Sequence, residues 1–159
     1  MPEPRWLDDR QAIAWRGLLA VINRALPEIE RTLKANDLLA VHYTILVALS
    51  EAPDRTMGLS ALADAANLSP SRLTHRMRTL VDAGDVVIAP DPQDGRAKNA
   101  HLTRSGLARL ERVAPEHVAD VQRLIFDQLD EPQTEALADA LGTIADALCE
   151  HPEYLNPRP

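Results

Sequence analysis

Glycine is scarce in this chain, aromatic rings are scarcer, and cysteine occurs once. Each shortage closes off a class of chemistry. Six glycines in 159 residues, none of them clustered, leave no loop whose bare amides could wrap a phosphate. Aromatic residues are 3% of a chain that is 45% hydrophobic, so the apolar content comes from Leu, Ala, Val and Ile, a balance that favours packed helices over sheets. A lone Cys149 makes no internal disulfide and no multi-cysteine zinc site; with no Lys or Arg beside it to stabilise a thiolate, it reads as a small residue of a helical interface. His42, His75, His101, His117 and His151 show no HxxxH or HExxH spacing, so no metal is expected. Without a GxSxG elbow or a paired-carboxylate signature, neither an enzyme nor a cofactor is expected. No apolar run is long enough to cross a bilayer and the opening MPEPRWLDD lacks a hydrophobic signal core, so no membrane partner is expected and the cytoplasm is the expected location.

What is there begins with residues 60–84, SALADAANLSPSRLTHRMRTLVDAG, which read as two short helices joined by a tight turn. Leu62, Ala63 and Ala66 give the first helix an apolar stripe, Ser60 is its expected cap, and Asn67 tolerates the left-handed backbone that ends helices. Leu68 should plug the turn, and Ser69-Pro70 starts the next helix, the serine oxygen accepting an orphan amide and the proline lacking one. At about 100° per residue, Leu73, Met77, Leu80 and Val81 share one face of that second helix and Ser71, Arg72, His75, Arg78 and Thr79 the other, with Thr74 and Arg76 at the borders. A buried face opposite guanidinium, hydroxyl and imidazole groups suits a helix lying in the major groove of DNA; a solvated surface helix is the plainer alternative.

Residues 85–102, DVVIAPDPQDGRAKNAHL, open with β-branched residues, break at Pro90-Asp91-Pro92 and Asp94-Gly95, and return as a second strand. The hairpin tip carries Arg96 with Lys98 behind it, suited to probing the narrow, negative minor groove. Gly84, Asp91-Pro92, Asp94-Gly95-Arg96, Leu102-Thr103 and Gly106 follow a G…DPxDxR…LTxxG register without a gap. In this the chain resembles the MarR family of winged helix-turn-helix transcriptional regulators over nearly its whole length. The resemblance implies that Arg96 is the wing arginine and Asp94 the acid that orients it. It also implies that Ser71, Arg72, Thr74, His75 and Arg76 contact DNA; Ser69, Arg78 and Lys98, from their places at the helix start, on its outer face and on the hairpin, are expected on the same DNA-binding surface. Asp85 stands where many relatives have leucine, and Ile88 and Ala89 where many have arginine, so fewer backbone contacts are expected.

The formal net charge of −7 is unevenly spread. Residues 53–104 hold seven bases against six acids, leaving ten against eighteen elsewhere, which permits a salt-sensitive affinity for DNA. Around that lobe lie the arms. A helix should start near Asp8 or Asp9, with Trp15, Leu18, Leu19, Ile22, Leu26, Ile29 and Leu33 at helical spacing and a kink at Pro27. Asn36-Asp37 breaks it, and a nearly all-apolar helix over residues 38–49 should be central. After the wing, Thr103 caps a long helix continuing past Pro115; Asp130 and Gln133 form a capping box for a last helix bearing Leu137, Leu141, Ile144, Ala145 and Leu148, and the tail HPEYLNPRP should fray. These amphipathic helices have no strand layer to pack on and need one another or a second copy.

The expectation is a mainly α chain of one domain spanning 1–159. A winged helix-turn-helix DNA-binding lobe with a small β-hairpin wing covers 38–103, and long N- and C-terminal helices at 8–36 and 104–150 form the dimerisation region. The resemblance implies a homodimeric, sequence-specific DNA-binding regulator, most often a repressor, that binds an inverted-repeat operator in double-stranded DNA and is released by a small-molecule effector. Trp15, Arg16, His42 and Tyr43 are the effector-site candidates; Arg16 and His42 would favour an anion, and the resemblance implies a small anionic or aromatic effector. The alternative is a winged-helix module that binds a protein and not DNA, which the acidic total would suit.

Overall fold

The computed structural model describes residues 4–92, 94 and 96–148; Cys149, His151, the tail and Gly95 of the hairpin tip lie outside the described residues. Helix α1 (Asp9–Ala20) starts where expected. Asp8 caps it, accepting the Gln11 N–H at 2.8 Å, while the Gln11 carboxamide takes the Asp8 N–H at 3.1 Å. Pro27 has no N–H to give, and its ring crowds the carbonyl four residues back. The chain answers with a wide π turn over Val21–Ala25, closed by the Leu26 N–H on the Val21 carbonyl, and continues as α2 (Leu26–Ala35). That turn is the form the expected kink takes. Asp37, at φ 55°, turns the chain toward α3 (Ala40–Glu51), which begins two residues later than expected because Leu39 is still extended. His42, Ile45, Leu46 and Leu49 are buried, making α3 the central helix.

A strand that periodicity does not reveal, β1 (Thr56–Gly58), precedes α4 (Leu59–Ala65). Gly58 holds the extended cap position of α4, so Ser60 lies inside the first turn and not at the cap, correcting the expectation for that residue. Asn67 does adopt φ 54°, and the Leu68 N–H reaches back to the Ala63 carbonyl at 2.8 Å, closing the turn. Ser69 then caps α5 (Pro70–Asp82), accepting the Arg72 N–H at 3.4 Å. Leu73, Met77 and Leu80 bury its inner face. Val81, expected with them, is 39% exposed, because it lines an open groove together with Ile88 and Lys98.

Gly84, at φ 75°, turns α5 into β2 (Val86–Pro90), which pairs antiparallel with β3 (Lys98–Leu102) from Val86↔Leu102 to Pro90↔Lys98. β1 adds to the far side of β3, giving the order β1-β3-β2. Thr103 caps α6 (Arg104–Leu124) by accepting the Gly106 N–H at 3.0 Å, and the helix runs through Pro115. Asp130 and Gln133 make the expected capping box at the start of α7 (Glu131–Leu148), with bonds of 2.9 and 3.0 Å.

One core joins α2 through α6. Leu33 and Leu38 meet Ile45, Leu46 and Leu49, then Leu62, Leu73, Met77 and Leu80, and Val86, Leu102, Leu110 and Val113 close it. Beside it a polar ladder fastens α2 to α6: the Asn36 amide donates to Glu116 at 3.4 Å, the Thr32 hydroxyl donates to Asp120, and Arg123 pairs with Glu28 at 3.7 Å and Asp120 at 2.8 Å. The ends differ from the middle. No residue of α1 or α7 is buried within the chain, and Ile13, Trp15, Leu141, Ile144 and Leu148 stand exposed.

Candidate nucleic-acid interface

The outer face of α5 is the polar one the sequence predicts. Ser69, Ser71, Arg72, Thr74, His75, Arg78 and Thr79 are exposed and Arg76 is half-buried, while Leu73, Met77 and Leu80 fix the helix from behind. Local chemistry orders the first turn: the Ser69 and Ser71 hydroxyls lie 3.3 Å apart, and the Thr74 hydroxyl donates to the Pro70 carbonyl at 2.9 Å. Thr74 thus presents oxygen lone pairs and a methyl group outward, suited to an amino group or a thymine methyl.

Arg96 sits exposed at the hairpin tip, and aspartates organise the backbone beneath it. Asp91 accepts the Asp94 N–H at 3.1 Å and the Asn99 side chain at 2.9 Å, and Asp94 accepts the Arg96 N–H at 2.9 Å. Asp94 therefore holds the main chain at Arg96. Lys98 is also exposed and shares with Arg78 a groove of about 460 Å³ floored by Leu73, Met77 and Val81. Helix face and wing are thus two cationic elements on one lobe, spaced by that groove.

Sequence reasoning missed the device holding this lobe. Asp85, only 4% exposed at its side chain, pairs with Arg109 of α6 at 2.6 Å, and the same guanidinium donates to the Asp37 carbonyl at 2.6 Å. The Thr103 hydroxyl donates to the Gly84 carbonyl at 2.7 Å, and the Thr103 N–H to that of Asp85 at 3.0 Å. Gly106 passes so close that a Cβ there would lie 2.2 Å from the Asp85 oxygen. The only sequence signal was the aspartate standing where relatives carry leucine.

The four effector candidates fall into two settings. Trp15 and Arg16 are exposed on α1, whereas His42 is buried and Tyr43 half-buried on α3. Tyr43 meets a residue that was not singled out, His117 of α6, with ring centroids 4.3 Å apart. His42 Nε2 and His117 Nδ1 are both buried without a hydrogen-bond partner. Burial pushes the His42 pKa below its usual value, Arg76 and Arg109 push it further, and Asp85 opposes them. Burial likewise lowers His117 against the pull of Asp120, and raises the Tyr43 phenol. Both shifts favour the neutral imidazole, so burial works against the positive charge that an anion would ask of His42. Among the described residues no group of three or more His, Cys, Asp or Glu could hold a metal ion, and no helix is long and apolar enough to cross a membrane.

Two helices across a turn, a three-stranded wing and a cationic outer face define a winged helix-turn-helix protein. AbsC, a MarR family transcriptional regulator from Streptomyces coelicolor, is 37% identical, with 91% of this chain and 98% of that one covered at a TM-score of 0.86. Sco3205 from the same organism, a MarR family regulator solved in complex with DNA, is 32% identical over 93% of each chain, also at 0.86. The HTH-type transcriptional repressor IacR of Pseudomonas putida is 28% identical over 139 residues, 87% of this chain and 78% of that protein. No family model matches the sequence. On the likeness to AbsC and Sco3205, the chain belongs to the MarR family of transcriptional regulators.

Proposed function

We propose that this protein is a cytoplasmic, homodimeric repressor that binds an inverted-repeat operator in double-stranded DNA. The observation that carries the reading is the α5 face, where Arg72, His75 and Arg78 stand exposed on a helix locked from behind by Leu73, Met77 and Leu80, with Arg96 on the adjoining wing. In this reading α5 lies in the major groove, Arg72 and His75 meet base edges, and Ser69, Ser71, Thr74, Arg76 and Arg78 divide between bases and phosphates. Asp94 holds the tip that sends Arg96 into the minor groove, with Lys98 on the backbone beside it. Sco3205, solved with DNA, and IacR, a repressor, support the reading. So does the low charge of the lobe against the acidic remainder. A protein-binding module would account for the total charge and not for its distribution.

The unburied apolar faces of α1 and α7 supply the second copy's footing. We assign release to a small aromatic acid or phenol that settles between α2, α3 and α6 beside Tyr43 and His117, whose unpartnered Nδ1 offers a neutral hydrogen-bonding site. Trp15 and Arg16 join that site only if the second copy or a turn of α1 brings them there. The test is selection of bound sequences from a random DNA pool, followed by titration of the winners at rising salt. An inverted repeat bound with a steep negative salt slope is expected; enrichment of no sequence would overturn the reading.

A further inference from the structure

Recognition by a dimer depends on where each reading head is held as well as on what it touches, and in this chain α6 is the element that runs from head to arm. Its first turns grip the corner where α5 becomes the wing. Thr103 ties the Gly84 and Asp85 carbonyls, Gly106 lies against the Asp85 backbone, and Arg109 takes the buried Asp85 carboxylate at 2.6 Å. The second arm of that guanidinium reaches 2.6 Å to the carbonyl of Asp37, in the left-handed turn between α2 and α3. One planar side chain, 19% exposed, thereby ties three bodies: the arm helix it belongs to, the corner of the DNA-reading head, and the turn where the N-terminal arm enters the lobe.

Asp85 follows α5 and is buried, Arg109 belongs to α6, and neither is part of the outward face of α5. A buried ion pair is a weak source of stability, since desolvation offsets most of its attraction, but its directional bonds admit few relative orientations. The geometry points to a positioning role: the Asp85–Arg109–Asp37 clamp sets the angle at which each arm presents its α5, and so the spacing between half-sites that the dimer accepts. The proposal rests on the reading of the protein as a dimer on an inverted repeat. It assigns a task to the acid that replaces leucine after Gly84, and to an arginine with no predicted part in binding.

The experiment compares the parent with an Asp85→Leu/Arg109→Leu double variant. Apolar replacement of both partners leaves no orphan charge and should keep the fold, checked by thermal unfolding and by sedimentation mass. Both proteins are titrated against the parent's selected operator, the same half-sites moved one base pair closer or further apart, and a lone half-site. The parent should prefer one spacing. In the double variant, lone half-site affinity should stay within about twofold of the parent while affinity for the preferred spacing drops by about tenfold and the preference between spacings flattens, since a loosened head costs the second half-site its effective concentration. Should the double variant not fold, Arg109→Lys goes on the same panel, because a single ammonium keeps the charge and cannot hold Asp85 and Asp37 in one planar fork. A folded variant whose spacing preference matches the parent overturns the clamp, as does one that weakens every probe including the lone half-site alike. A parent that selects no DNA overturns the underlying reading, and is told apart because it fails before any variant is compared.

Discussion

Arg96, proposed to contact DNA, stands where its loss should barely touch fold stability. The side chain is exposed and its backbone N–H is held by Asp94. Arg96→Ala should therefore weaken operator binding while the unfolding midpoint stays where it was; a loss of folding would make the residue structural. On α5 the prediction separates two kinds of contact. Arg72→Ala and His75→Ala should each shift preference at particular base pairs by ~1–3 kcal/mol, whereas a phosphate contact lowers all sequences alike, so uniform weakening would move either residue to the backbone. The buried imidazoles give a stability test. Both His42 and His117 have folded pKa values below the ordinary value of about 6.5, so the unfolded chain binds more protons between each depressed value and 6.5. Their contribution is present above that window and is lost as pH falls through it. Melting of the parent should drop as pH goes from about 7 to about 5, and less steeply in His117→Phe, which keeps a ring against Tyr43 and cannot be protonated. Equal slopes in the two proteins would remove His117 from the account. Asp120 does not blur the window, because the Thr32 hydroxyl and then Arg123 hold its carboxyl below the usual carboxylate range.

Among the elements, the junction between wing and α6 is the most constrained by contact. A Cβ on Gly106 would meet the Asp85 carbonyl at 2.2 Å and Leu102 at 2.8 Å, and the first of these is backbone that cannot swing aside. Gly106→Ala should cost about 3 kcal/mol in urea unfolding, the upper part of the overpacking range. An unchanged midpoint would show that the corner relaxes freely. The sequence could announce this glycine only through its place in the LTxxG register, since its φ is ordinary and the clash lies with a residue twenty-one positions away. The same distinction runs through the chain. Caps and periodic faces were legible because they are local: Asp8, Asn67, Ser69, Thr103 and the Asp130–Gln133 box all depend on residues within a turn. Ser60 misled because a hydroxyl before an apolar stripe looks like a cap even two residues inside the helix, and the extended backbone was at Gly58. β1 escaped because three residues, Thr56, Met57 and Gly58, are a strand only by pairing with β3. Arg109, Asp85 and His117 escaped for a related reason: each gains its part from a partner brought close by the fold and not by the chain.

At the scale of the whole molecule, the apolar surface left over is as informative as the core. Neither α1 nor α7 buries a residue within the chain, and Ile13 (68% exposed), Ile144 (51%) and Leu148 (79%) face outward from helices that have no sheet to cover them. An exposed apolar face this extended on two helices from opposite ends of the sequence suits a partner surface, and in the proposed dimer a second copy would supply one complementary by symmetry. A two-fold axis through such an interface relates the two α5 helices, so the operator should be an inverted repeat with half-site centres about 10 base pairs apart, one helical turn, where both helices enter the same face of the duplex. Leu141→Asp with Ile144→Asp places two carboxylates in that interface with no cation assigned to meet them. Because both positions are exposed within one chain, the helix-turn-helix core should remain folded while sedimentation gives the mass of a monomer. DNA titration should then find lone half-site affinity retained and tight binding to the full operator lost, since two separate heads each bear the full cost of association that a linked pair bears once. A folded monomer that holds the full operator as tightly as the parent would rule out dimeric recognition, and a variant that remains a dimer would move the interface away from α7.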